Sequence, residues 1–147
     1  MNLEVLKIEN YMDKTFETLK AEMDVYKAIQ IMVDKGLTGA VVVDEDNRVV
    51  GILSEKDCLK LMTKGSYHEM PEGKVKDFMT KEVFCVPPYT DVFKTADLLL
   101  NNLFRRIPIT DERNVMLGQI TRKDLLRVIR EIHDKQLDKG TKKAPIM

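Results

Sequence analysis

The 147-residue chain has no tryptophan, few aromatic residues (6%) and no net charge, with 24 Lys and Arg against 24 Asp and Glu. It therefore lacks both the basic field and the stacking surface of a nucleic-acid binder, and nucleic acid is not expected as a partner. Long apolar runs are also missing. Stretches such as AVVV (40–43) are far too short to span a bilayer. The opening MNLEVLKIENYM breaks its apolar pattern with Glu4, Lys7 and Glu9, unlike a secretory leader. A cytoplasmic protein without membrane contact is expected.

The two cysteines, Cys58 and Cys85, stand among apolar neighbours without metal-ligand spacing, so reduced thiols are expected rather than a disulfide. His68 and His133 have no Cys or His partner at metal spacing and read as exposed polar residues. DEDN (44–47) begins like a calcium loop but lacks its Gly and distal Glu. No metal is assigned and no cofactor is required. A Gly-x-Ser-x-Gly elbow, a P-loop and a dinucleotide fingerprint are all missing, and no nucleophile–base pair is visible. No catalytic residue is assigned, and an enzyme is not expected.

What the chain does have is a repeat. GILSEKD (51–57) returns as GQITRKD (118–124), a shift of 67 residues. The same shift carries Met12 onto Met79, DVYK (24–27) onto DVFK (91–94) and DEDN onto DERN (111–114). From 11–62 to 78–129 no gap is needed, and 12 of the 52 positions are identical, so the whole unit is duplicated.

Each unit reads β-α-β-β-α, an α+β (α/β) fold. A short apolar strand (15–19; 83–86) precedes an N-capping Asp24 or Asp91 and a helix with apolar spacing, which Gly36 can close in the first unit. A buried strand follows (39–44; 106–111), then an Asp/Asn-rich turn, then a second strand (48–53; 115–120) that ends at Ser54 or Thr121. The last helix runs to about Met62 in the first unit and to about Leu137 in the second. Segments 3–12 and 74–79 are expected to form short leading helices. This divides the chain into a first unit with its leading helix (1–66), a linker (67–75), a second unit (76–138) and a disordered tail (139–147).

Two such units in tandem resemble a cystathionine-β-synthase (CBS) domain pair, or Bateman module. The resemblance rests on the element order, the strand IPIT (107–110) and the repeated Gly-x-apolar-Ser/Thr-x-x-Asp, and it covers roughly residues 5–135.

Ser54-x-x-Asp57 and Thr121-x-x-Asp124 admit two readings. Ser or Thr three residues before an acid is a helix-capping pattern, although Asp is shorter than the usual Glu or Gln. The same corner offers free N–H groups and a dipole end to a phosphate, a hydroxyl beside them, and a carboxylate able to accept hydrogen bonds from a ribose diol. The resemblance favours the second reading. It implies two clefts, with adenine against Thr18 and Leu19 or Cys85 and Val86, together with Ala40 and Val41 or Ile107 and Pro108. Arg105-Arg106 stand where the first unit has Thr38-Gly39. The resemblance implies a basic residue here that meets phosphate; by strand alternation one arginine should face a cleft and the other away, and Arg106 is taken as that ligand.

The expected function is that of a regulatory module sensing AMP, ADP, ATP or S-adenosylmethionine. The chain shows no attached catalytic or transport domain, so a separate protein target is expected. The resemblance also implies a homodimer, built through helices such as the amphipathic stretch 123–139. The alternative is a structural dimerisation module with vestigial, non-binding clefts.

Overall fold

Two hairpins with the same irregularity organise the chain. In the computed structural model, which describes residues 6–65 and 69–140, strand β2 (Gly39–Val43) pairs antiparallel with β3 (Val49–Ser54), and β4 (Arg106–Thr110) with β5 (Met116–Thr121). The register slips between Val42 and Val43 in one hairpin and between Ile109 and Thr110 in the other, 67 residues on. Asp44 and Asp111 start the two turns by accepting backbone N–H bonds from Asp46 and Arg48, and from Arg113 and Val115. Asn47 and Asn114 take positive φ in those turns, 62° and 67°, a conformation asparagine tolerates better than most residues.

In the first unit β1 (Thr18–Lys20) joins β2 in parallel and completes a three-stranded sheet. The expected second-unit strand over 83–86 is reduced to one bridge, Val86 to Ile109. Positions 87 and 88 are prolines where the first unit has Lys20 and Ala21. Ala21 donates to the carbonyl of Val43, and Pro88, with no N–H, cannot repeat that bond.

Helices α1 (Val25–Lys35) and α4 (Val92–Asn101) begin at the expected caps. Asp24 accepts from Lys27 N–H at 3.2 Å and Asp91 from Phe93 N–H at 2.7 Å. Gly36 closes α1 in the left-handed region at φ 63°. Helices α2 (Glu55–Lys64) and α5 (Arg122–Gly140) follow β3 and β5 directly. The last helix passes the expected end at Leu137, and 141–147 of the expected tail lie outside the described residues, as does His68.

The leading segments cross over. A 3₁₀ turn, Ile8–Asn10, packs on the second unit: Ile8 N–H donates to Thr90 O at 2.7 Å, and Leu6 and Ile8 sit in the core with Ile107, Ile109 and Ile120. Helix α3 (Val75–Phe78) packs on the first unit, with Val75 among Leu19, Ala28, Ala40 and Leu53. A third cluster joins the sheets, with Val41, Val43 and Val49 against Met116. The bridges between segments come in pairs 67 residues apart: Asp24–Lys74 with Lys7–Asp91, and Ile52–Thr80 with Asp13–Gln119. The duplication is thus also a pseudo-twofold axis in space. Among the described residues no helix is long and apolar enough to cross a membrane.

Candidate functional site

The capping reading of both repeated corners holds. Ser54 N–H donates to Asp57 Oδ2 at 3.0 Å, and Asp57 N–H donates back to Ser54 Oγ at 3.1 Å, despite the short aspartate side chain. Thr121 and Asp124 repeat this at 2.8 and 3.4 Å. Both carboxylates are 4% exposed, and each also accepts its neighbour's hydroxyl at 2.9 Å. A cap, however, does not use every acceptor site of a carboxylate.

The surroundings of the two corners differ. Asp57 and Ser54 line a cleft of about 540 Å³ together with Thr38, Gly39, Ile52, Thr80, Phe104 and both Arg105 and Arg106. Thr80, carried there by the crossed segment, donates its hydroxyl to Asp57 Oδ1 at 3.2 Å, and Lys60 Nζ lies 3.8 Å from the same oxygen. Asp124 lies in a separate cavity of about 430 Å³ with Tyr11, Arg127, Arg130, Glu131 and Asp134. There Arg127 is hydrogen-bonded directly to Asp124 Oδ1.

Arg106 extends from the first residue of β4 across to the first unit. It donates to the carbonyl of Gly39 and, at 2.9 Å, to Thr38 Oγ1. Both acceptors are neutral, and among the described residues neither Arg105 nor Arg106 has a carboxylate within ion-pair distance. Burial, and then the charge of Arg105, lower the pKa of Arg106, yet a guanidinium stays charged in proteins. Two arginines outside any close ion pair therefore line one polar cleft, which Glu55, Asp57 and Glu82 also line. The expectation that Arg105 faces away is not met: it precedes the strand, so alternation does not govern it.

The remaining sequence candidates scatter. Leu19, Ala40 and Ile107 are closed inside the unit cores, and Val41 lies in the layer between sheets. Pro108 is buried and Thr18 half-buried on its strand. Cys85 and Val86 line a different cavity, with Pro87, Tyr89 and Thr110. Both thiols are free, and burial raises the pKa of each, helped at Cys58 by the charges of Asp57 and Glu55. His133 is exposed, and no cluster fit for a metal ion occurs among the described residues. The residues that sequence reasoning missed are Thr80 and Phe104. The 67-residue shift places Asp13 and Leu37 opposite them, so neither belongs to a repeated motif that would mark it.

Against known proteins, the CBS domain model matches twice, over residues 8–64 and 75–131. The chain is 32% identical to an uncharacterized 17.7 kDa protein of Acidianus ambivalens, over 82% of this chain and 71% of that one. It is 31% identical to inosine-5′-monophosphate dehydrogenase of Methanocaldococcus jannaschii, over 84% of this chain but only 23% of the dehydrogenase. Among solved structures, CBSX2 of Arabidopsis thaliana in complex with AMP superposes with a TM-score of 0.75 at 28% identity, covering 86% of this chain and 98% of CBSX2. The two repeated units, their pseudo-twofold and these matches agree: the chain belongs to the CBS domain family.

Proposed function

We propose that this chain is a regulatory module that binds an adenosine-containing nucleotide in the Ser54–Asp57 cleft and acts on a separate protein, without catalysing a reaction itself. The observation that carries this reading is the single cleft in which Asp57, the start of α2 and two arginines free of close ion pairs meet. Asp57 Oδ1 accepts a ribose hydroxyl, replacing the bond from Thr80. The phosphate takes the guanidinium of Arg106. CBSX2, a family member of similar extent, has been crystallised with AMP, which supports the same ligand class here. S-adenosylmethionine stays within that class, because it shares the adenosine.

The regulatory step follows from where Arg106 now points. Its donors tie the second unit to Thr38 and Gly39 of the first. A phosphate that takes those donors releases the tie, so the bound and free states differ in a contact between units. A ligand shifts an equilibrium only through such differential contacts. A second copy of the chain is the expected carrier of that change to a target.

A thermal-unfolding panel tests the reading with AMP, ADP, ATP, S-adenosylmethionine, NAD and a guanine-nucleotide control. A ligand at a hundred times its dissociation constant adds about 2.7 kcal/mol, a shift of several degrees for a domain of this size. A selective shift with an adenosine compound is expected. No shift with any of them would favour the dimerisation scaffold with vestigial clefts.

A further inference from the structure

Phe104 lines the Ser54–Asp57 cleft, and its ring stacks on Phe84 with centroids 5.4 Å apart and planes 14° from parallel. Phe104 also packs against the core of the second unit, so the pair sits at the edge of that core. Phe104 is half-buried and Phe84 is 45% exposed, so two aromatic rings are held together at the surface beside a polar cleft. Stacking fixes the tilt of the ring that lines the cleft. The strand residues first expected to meet a base (Leu19, Ala40 and Ile107) are sealed in the cores and present it no face. The apolar lining left is Ile52, Leu59, Leu103 and Phe104, and of these only Phe104 has a π-face.

The repeat shows that this feature belongs to one side. The 67-residue shift places Leu37 opposite Phe104 and Glu17 opposite Phe84, so the first unit has neither ring to offer. The aromatic pair and the two arginines are both departures of the second unit from the first, and Phe104, Arg105 and Arg106 converge on the same cleft.

Resting on the nucleotide reading above, we propose that Phe104 is the base-stacking platform of the Ser54–Asp57 cleft and that Phe84 positions it. The base lies on Phe104, the ribose reaches Asp57 and the phosphate meets Arg106.

Calorimetric titration of the full chain with AMP, and with ribose 5-phosphate, which lacks only the base, tests the platform. Wild type is expected to bind AMP more tightly than ribose 5-phosphate. Phe104→Leu should weaken AMP binding about tenfold, the scale of losing a base–aromatic stack, and leave ribose 5-phosphate unchanged. Phe104→Tyr should restore AMP binding. Phe84→Leu should give a smaller loss confined to AMP. Unfolding midpoints of all variants separate a damaged fold from a damaged site. Equal AMP affinity of Phe104→Leu and wild type, or parallel losses for AMP and ribose 5-phosphate, would overturn the platform while leaving the nucleotide reading intact. A wild type that binds neither compound would remove the nucleotide reading, and the platform with it.

Discussion

At the scale of single residues, Asp57 and Asp124 are alike in sequence and unlike in circumstance. Each spends one carboxylate oxygen, Oδ2, on the backbone and hydroxyl of its capping partner. What differs is the other oxygen. Asp57 Oδ1 has a threonine hydroxyl at 3.2 Å and a lysine at 3.8 Å, both replaceable contacts. Asp124 Oδ1 is held by Arg127, whose charge a ribose hydroxyl cannot match. Substitution by alanine therefore separates the two roles. Asp57→Ala and Asp124→Ala should each cost about 1 kcal/mol in urea unfolding, the value of a weakened helix start. Only Asp57→Ala should abolish the thermal shift given by the nucleotide. If both variants lose stability alone while the shift survives, Asp57 is a cap and nothing more. The recurrence of the motif cannot settle this, because duplication copies a cap as faithfully as a binding site.

At the scale of elements, the glycine that opens each motif serves the crossing of the leading segments. A Cβ at Gly51 would lie 2.9 Å from the carbonyl oxygen of Thr80 and 2.5 Å from Met79 Sδ. At Gly118 the corresponding distances are 2.9 Å to Asp13 O and 2.6 Å to Met12 Sδ. The methionines can swing aside, but the backbone oxygens belong to bridges, Ile52–Thr80 and Asp13–Gln119, that seat each segment on the other unit. Gly51→Ala and Gly118→Ala should therefore each destabilise by about 1–3 kcal/mol in urea unfolding, as overpacking does. An unchanged midpoint would mean that the segments are not held by this approach. These glycines also mark where the sequence was legible and where it was not. Hydrophobic periodicity, the aspartate caps and the asparagine turns are local signals, and they located α1, α2, α4, α5 and both hairpins, whereas the leading helix expected over 3–12 is, among the described residues, only the 3₁₀ turn Ile8–Asn10. The repeat exposed the pseudo-symmetry. The crossing was not legible, because a short amphipathic segment does not say which of two similar faces it will cover. The missing strand at 83–86 was legible in principle, since Pro87 and Pro88 remove the donors the ladder needs. The base-facing residues were misplaced for a related reason: an apolar strand residue that looks suited to a ring is equally suited to the core, and the core took it.

At the scale of the whole molecule, the surface keeps the memory of the repeat in its apolar residues. Val33, Leu59 and Met62 are exposed on α1 and α2. The exposed Leu100, Leu126 and Ile129 on α4 and α5 stand 67 residues further on in each case. Single exposed apolar residues need no explanation, but a contiguous exposed set is what an interface between copies would be built from. Val33 and Leu59 share one groove between α1 and α2 with Ile29 and Leu37, so the first set is contiguous in space. Two matching faces on a pseudo-twofold body fit a second copy that presents the same two faces, as a closed dimer requires. Met62→Glu combined with Ile129→Glu puts one charge on each face and avoids Leu59, which also lines the cleft. Light scattering after gel filtration should give the mass of two chains for wild type and of one chain for the double variant. Both positions are exposed, so the circular dichroism spectrum of the variant should match wild type, and a change in mass then reports the interface rather than the fold. A wild type with the mass of one chain, or a variant that keeps the mass of two, would leave these faces without a second copy. In that case the change at Arg106 would have to reach its target from a single chain, through the tie between units alone.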